Sequence, residues 1–167
     1  MSSDRRAEFT DYAQARRPQL RRMAYALCGD WHTADDIVQN ALAKLYVAWP
    51  RVRRAAAEDA YVRQTILRST IDEHRRPWRR ERAGLEGYDH PTAPGVDPGD
   101  RHDLVLALLQ LPEMQRKTVV LRHWMGMSVT ETARDLRISE GTVKSHTSRA
   151  LERLHQLMSD TTEGSRR

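Results

Sequence analysis

Residues 83–100, AGLEGYDHPTAPGVDPGD, limit what this chain can build. Four glycines and three prolines fall in the stretch, so no helix can pass through it. It also holds four acids and no cation, and it reads as a flexible tether. A packed structure must therefore form in two pieces of a 167-residue chain. With 39% apolar residues, each piece can fill a small core only. Strand-like alternation is lacking on both sides. The expected fold is all-α: two small helical domains, 4–82 and 101–158, joined by a flexible Gly/Pro-rich acidic linker.

The second piece carries the sharper pattern. Ser128 has capping-box spacing to Glu131, which predicts a helix over residues 128–136. Arg137, Ile138 and Ser139 form a short turn, and Ser139 caps a second helix from Glu140. Val143, Thr147, Ala150, Leu154 and Leu157 recur at helical spacing and face a core, with Leu151 also expected to be buried. Lys144, Ser145, Ser148, Arg149 and Glu152 lie on the other face. Two cations and two hydroxyls on one helix can reach phosphates and base edges of the major groove together. This is the layout of a helix-turn-helix whose second helix reads DNA. A helical hairpin with a solvated face would look similar.

In the first piece, residues 4–17 read as a helix stopped by Pro18. A second helix follows through Leu20, Met23, Ala24 and Leu27, with Gly29 as a left-handed cap. A third starts at Thr33, placing Asp35 and Asp36 in its first turn, where the dipole favours anions. Ile37, Val38, Ala41, Leu42, Leu45 and Trp49 supply its apolar stripe, and Pro50 is expected to end it. Residues 51–59 read as a basic loop or a frayed helix start. A long helix then covers about 60–76, with Val62, Thr65, Ile66, Ser69 and Tyr61 able to face the core. Its basic residues and hydroxyls suit a nucleic-acid backbone as well as a solvated face.

Two segments carry a resemblance. Ala34-Asp35-Asp36-Ile37-Val38-Gln39-Asn40, followed by a basic helix ending in Arg75-Arg76, resembles the promoter-binding domain of sigma factors. Leu111-Pro112-Glu113 with Gln115-Arg116, then a helix to Trp124 and a break at Gly126, resembles the opening of their second domain. Ser139-Glu140-Gly141-Thr142-Val143-Lys144-Ser145 resembles its recognition helix. Two domains with no further region resemble the group IV, extracytoplasmic-function (ECF) sigma factors of actinobacterial type.

That resemblance implies an alternative sigma factor. Asp35, Asp36, Gln39 and Asn40 would contact the RNA polymerase core, whose β and β′ subunits are the implied partners. Arg63, Arg68, Ser69, Asp72, Arg75 and Arg76 would bind the −10 promoter element. Thr142, Lys144, Ser145, Ser148 and Arg149 would bind the −35 element. An anti-sigma factor is a candidate partner. Three positions depart from the pattern: Arg68 stands where Asn is frequent, Arg137 where Gly is frequent, and Thr132 where Ile is usual.

Other chemistry finds little footing. Cys28 is the only cysteine, so no internal disulfide forms. The seven histidines have no metal-ligand spacing, and neither a phosphate-binding Gly loop nor a catalytic motif occurs. No cofactor, metal or catalytic residue is expected. No apolar run suits a membrane or a signal peptide, so a cytoplasmic protein is expected. The net charge of +5 suits a polyanionic partner. A stand-alone helix-turn-helix repressor or activator fits the same features. The tether itself is testable: limited proteolysis of the whole chain should cut first between residues 84 and 99. First cuts inside residues 34–76 would overturn the two-domain division.

Overall fold

The computed structural model describes residues 3–74 and 98–164. The described residues are helical, in two compact units that divide between Ala83 and Gly84. No described helix is long and apolar enough to cross a membrane. Of the expected linker, residues 98–100 belong to a helix, and the rest lies outside the described residues.

The first unit has three helices: α1 (Ser3–Cys28), α2 (Trp31–Arg54) and α3 (Glu58–His74). Pro18 does not break α1, contrary to the sequence expectation. A proline removes one backbone bond, here to the Gln14 carbonyl, and usually kinks or ends a helix. Packing on both sides of Pro18 against one partner overrides it. Before the proline, Phe9 meets Tyr46 and Trp49 edge-on, with ring centroids 4.9 and 5.3 Å away. Beyond it, Leu20, Met23, Ala24 and Leu27 are buried, and Tyr25 stacks on Trp31 at 3.8 Å. The contacts run antiparallel along α2.

Gly29 ends α1 at φ 77°, as expected. The cap of α2 is Asp30 rather than Thr33. Its carboxylate accepts from Thr33 N at 2.8 Å and Thr33 Oγ1 at 2.6 Å. The helix thus starts two residues early, and Asp35 and Asp36 sit past its first turn. Nor does Pro50 end α2, which continues to Arg54. Trp49 and Val52 are buried on either side of the proline, so again packing wins over the missing N–H. The expected basic segment is therefore the last turn of α2, a three-residue corner and the first residues of α3. A tight corner, Ala55 to Ala57, follows with Ala56 left-handed at φ 48°. In α3, Val62 and Ile66 are buried as expected, Leu67 and Thr70 join them, and Thr65 and Ser69 are half-buried.

The second unit contains α4 (Pro98–Leu109), α5 (Glu113–Val119), α6 (Val129–Leu136) and α7 (Glu140–Gly164). Pro98 opens α4, where its missing N–H costs nothing. One π-helical turn, Val120–Trp124, prolongs α5, and Met125 N bonds to Val120 O at 2.9 Å. Gly126 then turns at φ 69°, and Arg122 reaches across to the Met127 carbonyl. The capping box forms: Glu131 N donates to Ser128 Oγ at 3.1 Å, and Ser128 N to Glu131 Oε2 at 2.8 Å. α7 outruns the expected end near residue 158.

The turn before α7 is left-handed at Arg137, φ 56° and ψ 45°. Arginine costs about 1 kcal/mol there relative to glycine. Val143, Ala150 and Leu154 of α7 are buried, Thr147 and Leu157 are half-buried, and Leu151 is exposed at 43% against the sequence expectation. Leu151 follows Ala150 by about 100° around the helix, far enough to leave the core face. Thr132 is fully buried in α6, and its hydroxyl has no partner. An unpaired buried hydroxyl is destabilising, so Thr132→Val should stabilise this unit by about 1 kcal/mol. Thermal melting of the whole chain checks this; an unchanged or lower transition would mean the hydroxyl is satisfied in solution.

Candidate nucleic-acid and partner interface

α2 has two faces with opposite tasks. Ile37, Val38, Ala41, Leu42, Leu45 and Trp49 point into the core. The outer face is a stripe running Asp36, Gln39, Asn40, Ala43, Lys44, Val47, Arg51 and Arg54, all exposed. Steps of three and four keep these residues in line over about 27 Å. The stripe begins acidic and amidic and ends cationic. The cations Arg51, Arg53 and Arg54 also occupy the last turn, where the helix dipole favours them.

Of the four residues expected to meet polymerase, three lie together on this stripe. The fourth, Asp35, is turned aside. Its carboxylate takes a two-pronged bond from Arg21, Nε at 2.5 Å and Nη2 at 3.2 Å. The Arg21 guanidinium in turn lies over the Trp31 ring, 4.4 Å from its centroid. Asp35 thus joins α2 to α1, while Asp36, Gln39 and Asn40 face solvent.

The basic half of the stripe lines an open groove of about 570 Å³ that sequence reasoning missed. Val47, Ala48, Pro50 and Tyr61 form its apolar part, with Lys44, Arg51 and Arg54 beside them. Val47 is 80% exposed. Lys44 and Arg51 have no carboxylate partner among the described residues. Cations along a groove with an aromatic wall suit a single nucleic-acid strand, whose phosphates meet the cations and whose bases meet the ring. The exposed spacing Lys44, Val47, Arg51, Arg54 was legible in the sequence, but ending the helix at Pro50 hid it.

The residues expected at the −10 element are only partly gathered. Arg63 is half-buried and Arg68 exposed, and five helical steps set them about 140° apart. The Ser69 hydroxyl donates to the Thr65 carbonyl at 2.9 Å. Asp72 belongs to α3, and its side chain lies outside the described part. Arg75 and Arg76 lie outside the described residues.

The residues expected at the −35 element are better assembled. Lys144, Ser145, Ser148 and Arg149 are all exposed on one face of α7. Thr142 is half-buried and serves the cap: its N–H donates to Ser139 Oγ at 3.1 Å, and the two hydroxyls are 2.8 Å apart. Thr130 of α6 donates to Glu140 at 2.8 Å, fastening the start of α7. A rigid turn followed by an exposed cationic and hydroxylic face can lie in a major groove.

Residues 12–80 match the family model for Sigma-70 region 2, and residues 101–154 match that for Sigma-70, region 4. The RNA polymerase sigma-E factor of Streptomyces coelicolor is 38% identical over 153 residues, covering 89% of this chain and 85% of the relative. The ECF RNA polymerase sigma factor SigM of Mycobacterium tuberculosis is 33% identical over 141 residues, covering 84% and 71%. The sigma factor RpoE of Bartonella quintana, solved with the anti-sigma factor NepR, superposes with a TM-score of 0.74 at 25% identity, covering 91% of this chain and 97% of that one. Two helical units matching these two regions in this order, with such relatives along most of its length, make the chain a member of the sigma-70 family, in its extracytoplasmic-function branch of alternative sigma factors.

Proposed function

We propose that this chain joins the RNA polymerase core, through its β and β′ subunits, and carries it to promoters by reading two DNA elements. Residues 4–82 bind the core and the −10 element, 83–100 tether, and 101–158 bind the −35 element. Asp36, Gln39 and Asn40 meet the core directly, and Asp35 holds their helix in place through Arg21. Around the −10 element, Arg63, Arg68, Ser69, Asp72, Arg75 and Arg76 act with the groove of Lys44, Arg51, Arg54 and Tyr61. At the −35 element, Lys144, Ser145, Ser148 and Arg149 make the contacts, with Thr142 at the helix start. The chain performs no bond chemistry of its own and works in the cytoplasm. An anti-sigma protein is a further partner, in analogy with the RpoE–NepR complex.

The observation that carries this reading is the outer stripe of α2, polar at one end and cationic at the other, in a different unit from the helix-turn-helix. Opening a few base pairs costs several kcal/mol of unstacking. A groove that takes the released strand can offset that cost locally. Run-off transcription with core polymerase on a promoter library should enrich paired motifs at fixed spacing. Tight binding to a palindrome without polymerase would favour a stand-alone repressor instead.

Two sets of substitutions test the assignments. Asp36→Arg should weaken binding to core polymerase with helicity intact. Asp35→Asn should mainly lower stability, by up to about 1 kcal/mol for a half-exposed ion pair. Equal loss of core affinity from both would refute the division of roles.

On α7, Arg149 has the planar fork that matches the two acceptors of a guanine edge. Arg149→Ala should cost about 1–3 kcal/mol and relax preference at one −35 base pair. Lys144→Ala should weaken all promoters alike and reduce the salt slope by about one counterion. Binding is measured across all four bases at each position and at several salt concentrations. An unchanged base preference in folded Arg149→Ala would mean that α7 does not read sequence through this residue.

A further inference from the structure

The corner between α2 and α3 carries much of the groove, yet little in its own sequence holds it. Pro50 lies inside α2 and has no N–H to give to the helix ladder. Three alanines, Ala55 to Ala57, make the turn, and Ala56 is left-handed at φ 48°, a conformation that disfavours any residue with a Cβ. Arg51, Arg54 and Tyr61 flank this weak point. Arg54 Nε donates back to the Pro50 carbonyl at 3.1 Å, so its guanidinium depends on the same backbone.

Side chains flanking the corner and side chains of α1 hold it. Arg53 Nη1 bonds Glu58 Oε1 across it at 2.7 Å, and the Glu58 side chain is only 14% exposed. Arg53 Nε also faces Glu8 of α1 at 4.0 Å. One residue on, Asp59 accepts from Tyr12 Oη at 2.8 Å and from Arg16 Nη2 at 3.0 Å, both on α1. Burial and the adjacent Asp59 push the Tyr12 phenol well above its ordinary pKa, so it stays a donor. The Tyr12 ring rests on Trp49 of α2 at 5.4 Å. Glu8, Tyr12 and Arg16 all belong to the part of α1 before Pro18.

We propose that this outer half of α1 is a brace for the single-strand groove. Through Tyr12–Asp59 and Arg16–Asp59, and through Glu8 beside the Arg53–Glu58 pair that spans the corner, it fixes the turn, so that Arg51, Arg54 and Tyr61 meet an unpaired DNA strand at set spacing. The proposal rests on the groove's reading as a strand site. Tyr12 and Arg53 are positioning residues; neither lines the groove. A binding site held in place before its ligand arrives avoids the cost of ordering it on binding.

The test uses holoenzyme assembled from core polymerase and the whole chain. The probe is a fluorescent single-stranded oligonucleotide carrying the non-template −10 sequence of a promoter that the chain transcribes. Arg53→Glu and Tyr12→Phe should each weaken oligonucleotide binding and slow opening of duplex promoter, by about tenfold or more for a misplacement near 1 Å. Core affinity should not change, and transcription from a promoter pre-opened at −10 should suffer less. The swap Arg53→Glu with Glu58→Arg should restore binding, and thermal melting of each single variant separates lost positioning from lost stability, since a binding loss at an unchanged melting temperature is positional. Tyr12→Phe keeps the ring on Trp49 and so remains informative if Arg53→Glu folds poorly. Lys44→Ala and Arg54→Ala separate the two ideas. If these lose the oligonucleotide while Tyr12→Phe and Arg53→Glu bind it as the wild type does, the brace is wrong and the groove stands. If Lys44→Ala and Arg54→Ala also bind normally, the groove reading fails and the brace falls with it.

Discussion

The first unit depends on the antiparallel packing of α1 along α2. Each helix contains a proline that, in isolation, would cost about 3 kcal/mol. Each proline lies between residues anchored in the shared core. Fully burying one side chain such as Leu27, Leu45 or Met23 stabilises by about 1.5–3 kcal/mol. Several such residues follow Pro18 and precede Pro50, and with the Phe9 ring contacts and buried Val52 on the opposite flanks they outweigh one lost hydrogen bond. The unbroken course of α2 through Pro50 follows from this, and so does its outer stripe. Had α2 ended at Pro50, Arg51 and Arg54 would not share a line with Asp36 and Asn40.

That line gives one helix two chemistries. Near its start the outer face offers carboxylate and amide groups, suited to a protein partner rather than to phosphates. Near its end it offers cations and an aromatic neighbour, suited to a nucleic acid. The helix between them is rigid and core-backed. On the proposed reading, docking on polymerase therefore fixes where the strand groove stands, without a moving part. The Arg21–Asp35 pair stiffens the first end and the Arg53–Glu58 pair the second. Partly exposed ion pairs such as these contribute about 1 kcal/mol or less to stability, and their main effect is on geometry.

What the sequence disclosed follows from how local each signal is. Ser128 with Glu131, the turn at Arg137 and the Ser139 cap are decided within a few residues, and all appear where expected. The four exposed side chains of α7 follow from helical period alone. Pro18 and Pro50 misled because their local preference is real, and the contacts that overrule it come from another helix. Asp35 was grouped with Asp36 because neighbours in sequence look alike. Only the fold places Arg21 beside one and solvent beside the other. The brace was invisible for the same reason, since Tyr12 and Asp59 are 47 residues apart.

On the proposed reading, the second unit explains why a chain like this should need polymerase. α7 offers two cations and two hydroxyls in its exposed contact face. Specific DNA affinity grows with the number of phosphates neutralised, by roughly one released counterion each. Two cations supply little of that, and one small module covers a limited surface. The groove on the first unit is similarly modest. Neither surface alone can hold a promoter tightly at cellular salt. Joined through a large partner that fixes both, the second contact becomes intramolecular, and weak affinities multiply instead of competing separately. On that reading, residues 83–100 have only to span the two sites and need not set their geometry. Promoter selectivity would therefore reside in the spacing the polymerase imposes as much as in any base contact made by Arg149.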